Sequence, residues 1–457
     1  MSFLFQSCTN NFLGTIMEEF VNNVRTFSTQ GQFSQLCEYM NKSWPLLTKN
    51  ISHLDTALEA LDLQEHSLGV LYILCSKVSM ISTAFSSATD FEQIFFQVQL
   101  FISQCISTQI QFSTGNFAQM IHTIVQELTK RKMSIRGIKP VSMAIEKIQV
   151  HPSQLTSLHA DLCQLCLDSM CMKPALQFLD IEITEIAKEN GWYDCKHFLS
   201  YYYYGGMIYA ALKNYSRAMY YFEQVITCPA TAVSHIMLAA YKKYVLICLI
   251  AEGKLNPLPK YTSQVITRFT KAFCNEYNGL LQAYGTNDPT KLNSVIEANM
   301  ATYTAEKNLG LVKQVAVSLH KRNIQRLTKT FVTLSLSDVA TRAFLSGPEQ
   351  AELYLRQMIE DKEIFAYIDH ENQMVSFYDD PVQYNTENLL KSLDKDIQDF
   401  TELDRKLTEM DQNIQVNPMY VQKIKSAGAQ DEDFEGSLLS SSTPSSKPSI
   451  LSRFMYK

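Results

Sequence analysis

The sequence predicts a mostly α-helical protein in which a solenoid of helical repeats precedes a winged helix and one long C-terminal helix. Glycine and proline are scarce, at 15 and 13 of 457 residues, which disfavours turn-rich all-β folds and glycine-rich nucleotide-binding folds. From Met17 to about Thr330, apolar residues recur at three- and four-residue intervals, as in amphipathic helices. The predicted breaks between these helices are Trp44-Pro45, Ser86-Ser87, Gly137, Pro152, Gly191, Pro229, Gly253 and Pro257.

An internal repeat favours a solenoid over a simple bundle. Gly206 and Tyr209 match the first helix of a tetratricopeptide hairpin, Ala218 and Phe222 match the second, and Pro229 ends it. The small residues let the two helices approach closely, and the aromatic residues fill the space between them. The segment therefore predicts a TPR-like helical hairpin.

The same frame recurs on both sides of this hairpin. Cys163 and Cys166 occupy the first-helix positions of an earlier copy, and Ala239-Ala240 occupies those of a later one. Three consecutive hairpins are therefore expected over about residues 155–273, with weaker repeats before them.

A different pattern begins after Thr330. Ser335 with Asp338, and Ser346 with Glu349, have the spacing of helix-capping boxes and predict two further helices. Residues 364–368 then form an apolar run and residues 374–377 a return strand. Three helices followed by a hairpin predict a winged helix over about residues 313–378.

Two surfaces near the C-terminus are predicted to bind other proteins. A two-stranded hairpin has open edges that invite pairing with another copy of the same unit. The long helix, about Glu387 to Gln415, carries a near-heptad apolar stripe that requires a partner helix. The predicted interface residues are Ile364, Phe365, Tyr367, Val375 and Phe377 of the hairpin, and Leu393, Ile397, Phe400, Leu403, Leu407, Met410 and Ile414 of the helix.

Composition excludes several functional classes. The net charge is −6, with 40 basic and 46 acidic residues, which makes the chain a poor general binder of phosphate backbones. The eleven cysteines are single residues inside apolar runs, as expected of free thiols in a reducing compartment. No apolar run reaches the roughly 20 residues that span a bilayer, and no basic N-terminal region indicates a targeting signal.

No motif indicates catalysis, a metal or a cofactor. Cys163 and Cys166, with Cys171 and His159 nearby, have zinc-like spacing, but no second Cys-x-x-Cys follows. The repeat frame instead places both cysteines at a helix contact, so buried thiols are the favoured interpretation. The lone His197 and His235 are interpreted as packing residues. We therefore expect no enzyme activity.

Nucleic-acid binding depends on where the cations lie. The third helix of the winged unit carries four carboxylates against Arg356, which disfavours DNA in the major groove. An RNA-binding surface stays an alternative because a basic cluster lies on the preceding helix. Its members are Lys313, His320, Lys321, Arg322, Arg326 and Lys329.

Helical repeats that continue directly into a winged helix resemble the PCI domain family of the proteasome lid, the COP-nine signalosome and a translation initiation complex. The similarity is greatest to signalosome members and covers about residues 17–422. The segments that carry it include Asn50 to Thr56, Gln154 to Cys166, Tyr201 to Ile208 and Lys321 to Phe331.

This resemblance implies a non-catalytic scaffold, present in cytoplasm and nucleus, of a complex that removes a ubiquitin-like modifier from cullins. Its partners would be other signalosome subunits, bound through a winged-helix ring and a C-terminal helical bundle, and indirectly cullin-RING ubiquitin ligases. A subunit of a related assembly, or an RNA-binding PCI adaptor, is the alternative.

The predicted domain organisation follows from these patterns. The parts are an atypical N-terminal extension over 1–16, N-terminal helical repeats over 17–195, a PCI domain over 196–380, a C-terminal bundle helix over 385–416 and a disordered acidic and serine-rich tail over 426–457.

Overall fold

In the computed structural model the chain divides into two compact units, residues 1–378 and residues 379–457. The predicted N-terminal extension, the break at Ser86-Ser87 and the serine-rich tail fall outside the residues that the structure describes. The domain boundaries predicted above stay predictions. The described residues are 17–50, 53–83, 88–230, 232–379 and 387–423.

Helices dominate the first half of the larger unit, as predicted. Between the third and fourth helices the chain makes a short turn in which the Asp62 carboxylate accepts from the backbone N–H groups of Gln64 and Glu65. The helices are α1 (17–29), α2 (Phe33–Lys49), α3 (Leu54–Ala60), α4 (Ser67–Thr83), α5 (Ala88–Gln104), α6 (Ser107–Ile110), α7 (Thr114–Lys130) and α8 (Ser134–Ile148).

The second half of the repeat region continues the array. A two-residue parallel bridge, β1 (Gln154–Leu155) with β2 (Glu185–Ile186), ties two of its loops together. The helices are α9 (Leu158–Asp168), α10 (Lys173–Leu179), α11 (Cys195–Ala211), α12 (Tyr215–Thr227), α13 (His235–Ala251), α14 (Gln264–Phe273), α15 (Asn275–Gly285), α16 (Pro289–Ala298), α17 (Met300–Ala305) and α18 (Leu309–Thr328).

The helical hairpins share one turn geometry. In four of them, the second residue after the first helix adopts a left-handed backbone conformation, and the next residue donates its N–H to a carbonyl five positions earlier. The bond lengths are 2.9 Å at Lys132, 3.0 Å at Met170, 2.9 Å at Lys213 and 2.9 Å at Lys307. This Schellman-type closure satisfies carbonyl groups at the helix end and reverses the chain.

The predicted contact between α11 and α12 is confirmed. A Cβ atom at Gly206 would lie 2.9 Å from ring carbons of Phe222, so only glycine permits this approach. Phe222 and Ala218 are fully buried, and Tyr209 is almost so. The hydroxyl of Tyr209 donates to Asp180 at 2.7 Å, which links this hairpin to the preceding one.

Two predicted breaks are wrong. Pro45 lies inside α2, and Gly137 lies inside α8. Gly137 is a contact glycine of the same kind as Gly206, because a Cβ atom there would meet Leu128 at 2.8 Å and Leu165 at 2.9 Å. Tertiary packing along these helices therefore outweighs the local tendency of proline and glycine to end them.

The winged helix includes the end of α18, which supplies Ile324 to its own small core, distinct from the core of the repeats. Its elements are β3 (Thr333–Ser335), α19 (Leu336–Arg342), α20 (Pro348–Glu360), β4 (Ala366–Asp369) and β5 (Met374–Phe377). The Ser335 cap of α19 is confirmed, since its hydroxyl oxygen accepts from the Asp338 N–H at 3.1 Å. The second capping box is wrong by one residue, because Ser346 contacts Gln350 instead of Glu349.

The smaller unit contains the predicted long helix, α21 (Glu387–Val416). Three ion pairs at four-residue spacing stabilise it along its length: Glu387 with Lys391, Glu402 with Lys406, and Arg405 with Glu409. Across the parts of the chain that the structure describes, no helix combines the length and hydropathy needed to cross a membrane.

Candidate functional site

The sheet of the winged helix has three strands, in the order β3, β5, β4. The sequence predicted only the β4–β5 hairpin. The third strand, β3, pairs with the other side of β5 through Thr333 with Ser376, and Leu334 with Val375. The return strand is therefore central, and the free edges belong to β3 and β4. This corrects the prediction of a two-stranded hairpin with both edges open.

The five hairpin residues predicted as interface residues divide into two groups. Ile364, Val375 and Phe377 are buried in the core of the winged helix itself. Phe365 is half-buried and contacts the ring of Tyr378, whereas Tyr367 on β4 is 68% exposed. Only Tyr367 and part of Phe365 are therefore accessible to a partner, and the other three support the strand from inside.

Sequence reasoning missed several exposed apolar residues on the same domain. Val332 precedes β3, Phe344 follows α19, Leu353 lies on α20 and Tyr378 follows β5, and each is more than half exposed. Phe344 has a positive φ of 57° at the end of α19, and this turn carries the exposed ring. The exposure of Leu353 could have been recognised from the sequence, because Leu353 lies outside the apolar stripe of α20. Leu355 and Met358 belong to that stripe and extend into the core.

The apolar stripe of α21 is confirmed as a continuous exposed row. Its exposure runs from 49% at Leu393 to 71% at Phe400. The other members are Ile397, Leu403, Leu407, Met410 and Ile414, and all five are more than half exposed. A row of large apolar side chains on one face of a solvated helix is typical of a helix that packs against others in an assembly.

Half of the basic cluster predicted on α18 is engaged within the chain. Lys321 forms ion pairs with Asp361 at 3.2 Å and Glu363 at 2.9 Å. Arg322 donates to the carbonyl oxygen of Ala251 at 2.7 Å. His320 contacts the Ala343 carbonyl at 3.0 Å. Lys313, Arg326 and Lys329 are the exposed members, so the cluster offers phosphates less charge than its sequence suggests.

The cysteine pair lies in a packed interior. Cys163 and Cys166 are buried on α9, and burial raises the pKa of the Cys166 thiol to about 11. Cys171 follows in the turn after α9, where its N–H bonds to the Cys166 carbonyl. Within the described residues, no group of three or more histidine, cysteine, aspartate or glutamate side chains is placed to hold a metal ion.

A partly buried polar cluster lies beside these cysteines. The Nδ1 atom of His122 lies 2.9 Å from the carboxylate of Asp161, whose hydrogen bond raises the pKa of His122 despite opposing desolvation. His197 packs edge-on against His122, and burial lowers its pKa. Each group has a partner within a helix contact, as expected for structural polar residues.

Comparison with known proteins shows that the chain is similar to one group of subunits of a multiprotein complex. The family described as "COP9 signalosome complex subunit 3, N-terminal helical repeats" matches residues 30–266, and the PCI domain matches residues 281–379. COP9 signalosome complex subunit 3 of Drosophila melanogaster is 42% identical over 92% of this chain and 97% of its own length. The Arabidopsis thaliana protein of the same name is 35% identical over 81% of this chain and 84% of its own length.

Proposed function

The chain belongs to the COP9 signalosome subunit 3 family, and on that premise we propose that it is a non-catalytic scaffold subunit of a signalosome. The complex would remove a ubiquitin-like modifier from cullins and so regulate cullin-RING ubiquitin ligases. This chain would contact those ligases indirectly and would hold neighbouring subunits in place. Family membership and the absence of a catalytic motif in the sequence support the scaffold role.

The observation that carries this proposal is the exposed stripe of α21. Seven large apolar side chains on one face would cost roughly 1.5 to 3 kcal/mol each to leave in water rather than bury. A subunit can carry such exposed side chains when assembly with its partners covers them. The edge of β4, with Tyr367 exposed on it, offers a second contact through strand pairing.

Co-expression with the other signalosome subunits tests the stripe. The double variant Ile397→Asp/Leu407→Asp places two charges on the apolar face, and we expect it to be lost from the purified complex. The control Gln398→Asp/Gln412→Asp adds the same charge on the opposite face and should assemble normally. Normal assembly of both variants would contradict a bundle role for α21.

The location of the protein is part of the proposal. A scaffold that acts on cullin-RING ligases would be present in both cytoplasm and nucleus. Imaging of the chain tagged at its native locus should show both compartments. Signal confined to mitochondria or to the secretory pathway would overturn this part.

The alternatives have less support. An RNA-binding adaptor would need the α18 cations, and three of the six are occupied by contacts within the chain. A subunit of the proteasome lid or of a translation initiation complex would share the PCI domain, but the N-terminal repeats match the signalosome family. Failure of full-length chain to bind labelled single-stranded RNA at low salt would remove the adaptor hypothesis.

A further inference from the structure

An apolar groove lies among α3, α4 and α5, in a part of the repeat region that the proposed scaffold role does not use. It encloses about 330 Å³. Leu58 and Leu61 line it from α3 and its end, Leu74 from α4, and Leu100 from α5. Leu100 is 40% exposed, and Phe96, one turn earlier, is 65% exposed. Two large apolar side chains in water beside an apolar groove mark a surface that a partner can cover.

The polar residues at this site are already satisfied. The ammonium of Lys77 is almost fully buried and bonds to the carboxylate of Asp55. Gln97 accepts from Lys77 at 2.8 Å and donates to Asp55 at 3.1 Å. Because Asp55 neutralises the charge of Lys77 within this triad, a ligand does not need to supply a negative charge to Lys77.

The chain segment that builds the groove is acidic. Residues 50–129 contain Lys77 as their only lysine or arginine, against seven aspartate and glutamate residues. Two of the seven are neutralised from outside the segment, Glu92 by Arg136 and Glu127 by Lys130. The single internal cation is the buried Lys77. The segment that builds the groove walls therefore carries more negative than positive charge.

Three carboxylates stay available near the groove. Glu59 lies on its wall, and Asp62 and Glu65 follow on the turn after α3; all three are exposed. None of them forms an ion pair among the described residues. The guanidinium of Arg25 reaches this end of α3 but bonds to the carbonyl oxygen of Ala60.

We propose that this groove binds a basic amphipathic helix of another protein. Its apolar residues would lie against Phe96, Leu100 and the groove leucines, and its lysine or arginine residues would face Glu59. Helices form the groove and no strand edge lines it, which favours a helical ligand over an extended one. The acidic surroundings favour a cationic ligand and disfavour nucleic acid and anionic lipid.

Binding of a designed peptide to the full-length chain tests the class of ligand. The probe is a fluorescent helical peptide of about 18 residues, with leucines on one face and lysines on the other. It should bind at low salt, and a peptide with glutamate in place of every lysine should bind at least about tenfold more weakly. Equal binding of the two peptides, or no binding of the basic one, would refute the proposal.

Surface variants then place the site. Phe96→Ser/Leu100→Ser should weaken binding by about tenfold or more, because both side chains lose contact with the ligand. Ile135→Ser, at a residue 63% exposed on α8, is the apolar control and should not weaken it. Equal effects of the groove variant and the control would show non-specific binding and overturn the assignment.

A charge reversal checks the rim without touching any packed residue. Glu59→Lys should weaken binding severalfold at low salt and reduce its salt dependence, whereas Glu297→Lys on α16 should do neither. Unchanged binding in Glu59→Lys would contradict the proposed orientation. All these variants should still enter the signalosome complex, so failure of this proposal and failure of the scaffold proposal are distinguishable.

Discussion

The α11–α12 hairpin and the helix α21 have similar apolar patterns but opposite surroundings. Phe222 on α12 is fully buried against Gly206 and its neighbours, whereas Phe400 on α21 is 71% exposed. In the hairpin, the partner of α12 is α11, its neighbour along the chain. Among the described residues of its own unit, none covers the stripe of α21. An apolar stripe therefore shows that a helix needs a partner, but not whether that partner belongs to the same chain.

The largest expected effect tests the buried side of this comparison. Phe222→Ala should lower the free energy of unfolding of the repeat region by about 3–5 kcal/mol, because it leaves a cavity at a fully buried position. Chemical denaturation followed by circular dichroism measures it. Tyr220→Ala, at a half-exposed position on the same helix, is the control and should cost far less. Similar losses in both would show that α12 is not packed as described.

Overpacking at the same contact should have the next largest effect. Gly206→Ala introduces a Cβ atom 2.9 Å from the Phe222 ring and should destabilise the repeats by about 1–3 kcal/mol. Gly279→Ala on α15 has open space around its Cβ and should be neutral or stabilising, since alanine favours helix. Stabilisation by Gly206→Ala would mean that the close approach of α11 and α12 is not required.

Acidification should destabilise the repeats through His159, a buried histidine. Burial lowers the pKa of His159, which is 1% exposed, to about 4. Between pH 6.5 and 4 the unfolded chain binds a proton there and the folded chain does not. Stability should therefore fall as pH falls, by about 1.4 kcal/mol per pH unit from this residue.

Comparison with His159→Gln isolates this contribution. The raised pKa of His122 acts in the opposite direction, because its stabilisation is present at low pH and is lost as pH rises. The difference in unfolding free energy between wild type and His159→Gln should shrink steadily from pH 6.5 to 4.5. A constant difference would show that His159 binds a proton equally well in the folded and unfolded chain.

The smallest expected effect on stability comes from Phe400, on the exposed stripe of α21. Phe400→Ala should change the free energy of unfolding of the isolated chain by less than about 0.5 kcal/mol, because the ring is mostly in water already. The same variant should weaken assembly with other subunits, as measured by co-purification. A large loss of stability would indicate that this ring is covered within the chain.

Elements with local causes could be predicted from the sequence. The Ser335 cap needs only residues three positions apart, and the α21 stripe needs only helical periodicity. Strand β3 could not be predicted, because Thr333 to Ser335 become a strand only by pairing with β5, about 40 residues away. Gly137 was misread for the same reason, since the leucines that require it lie on other helices.

In the candidate site too, features with local causes could be predicted and features that depend on distant residues could not. Periodicity identified the exposed residues of α21, but alternation in β4 and β5 could not separate Tyr367 from the buried Val375 and Phe377. That separation depends on which face of the sheet α20 covers. The acidic groove was missed because its leucines are far apart in the sequence. The scarcity of lysine and arginine over residues 50–129, where Lys77 is the only one, was the available signal.

The recurring turns at Lys132, Met170, Lys213 and Lys307 have a consequence for how such a chain can evolve. Each reversal is closed by a backbone bond and not by a particular side chain. The side chain at the turn is consequently free to change, and a hairpin could be duplicated or removed without redesign of the joints on either side. Variation between relatives should therefore include whole hairpins as units, with the helix contacts, and not the turns, holding the sequence constraint.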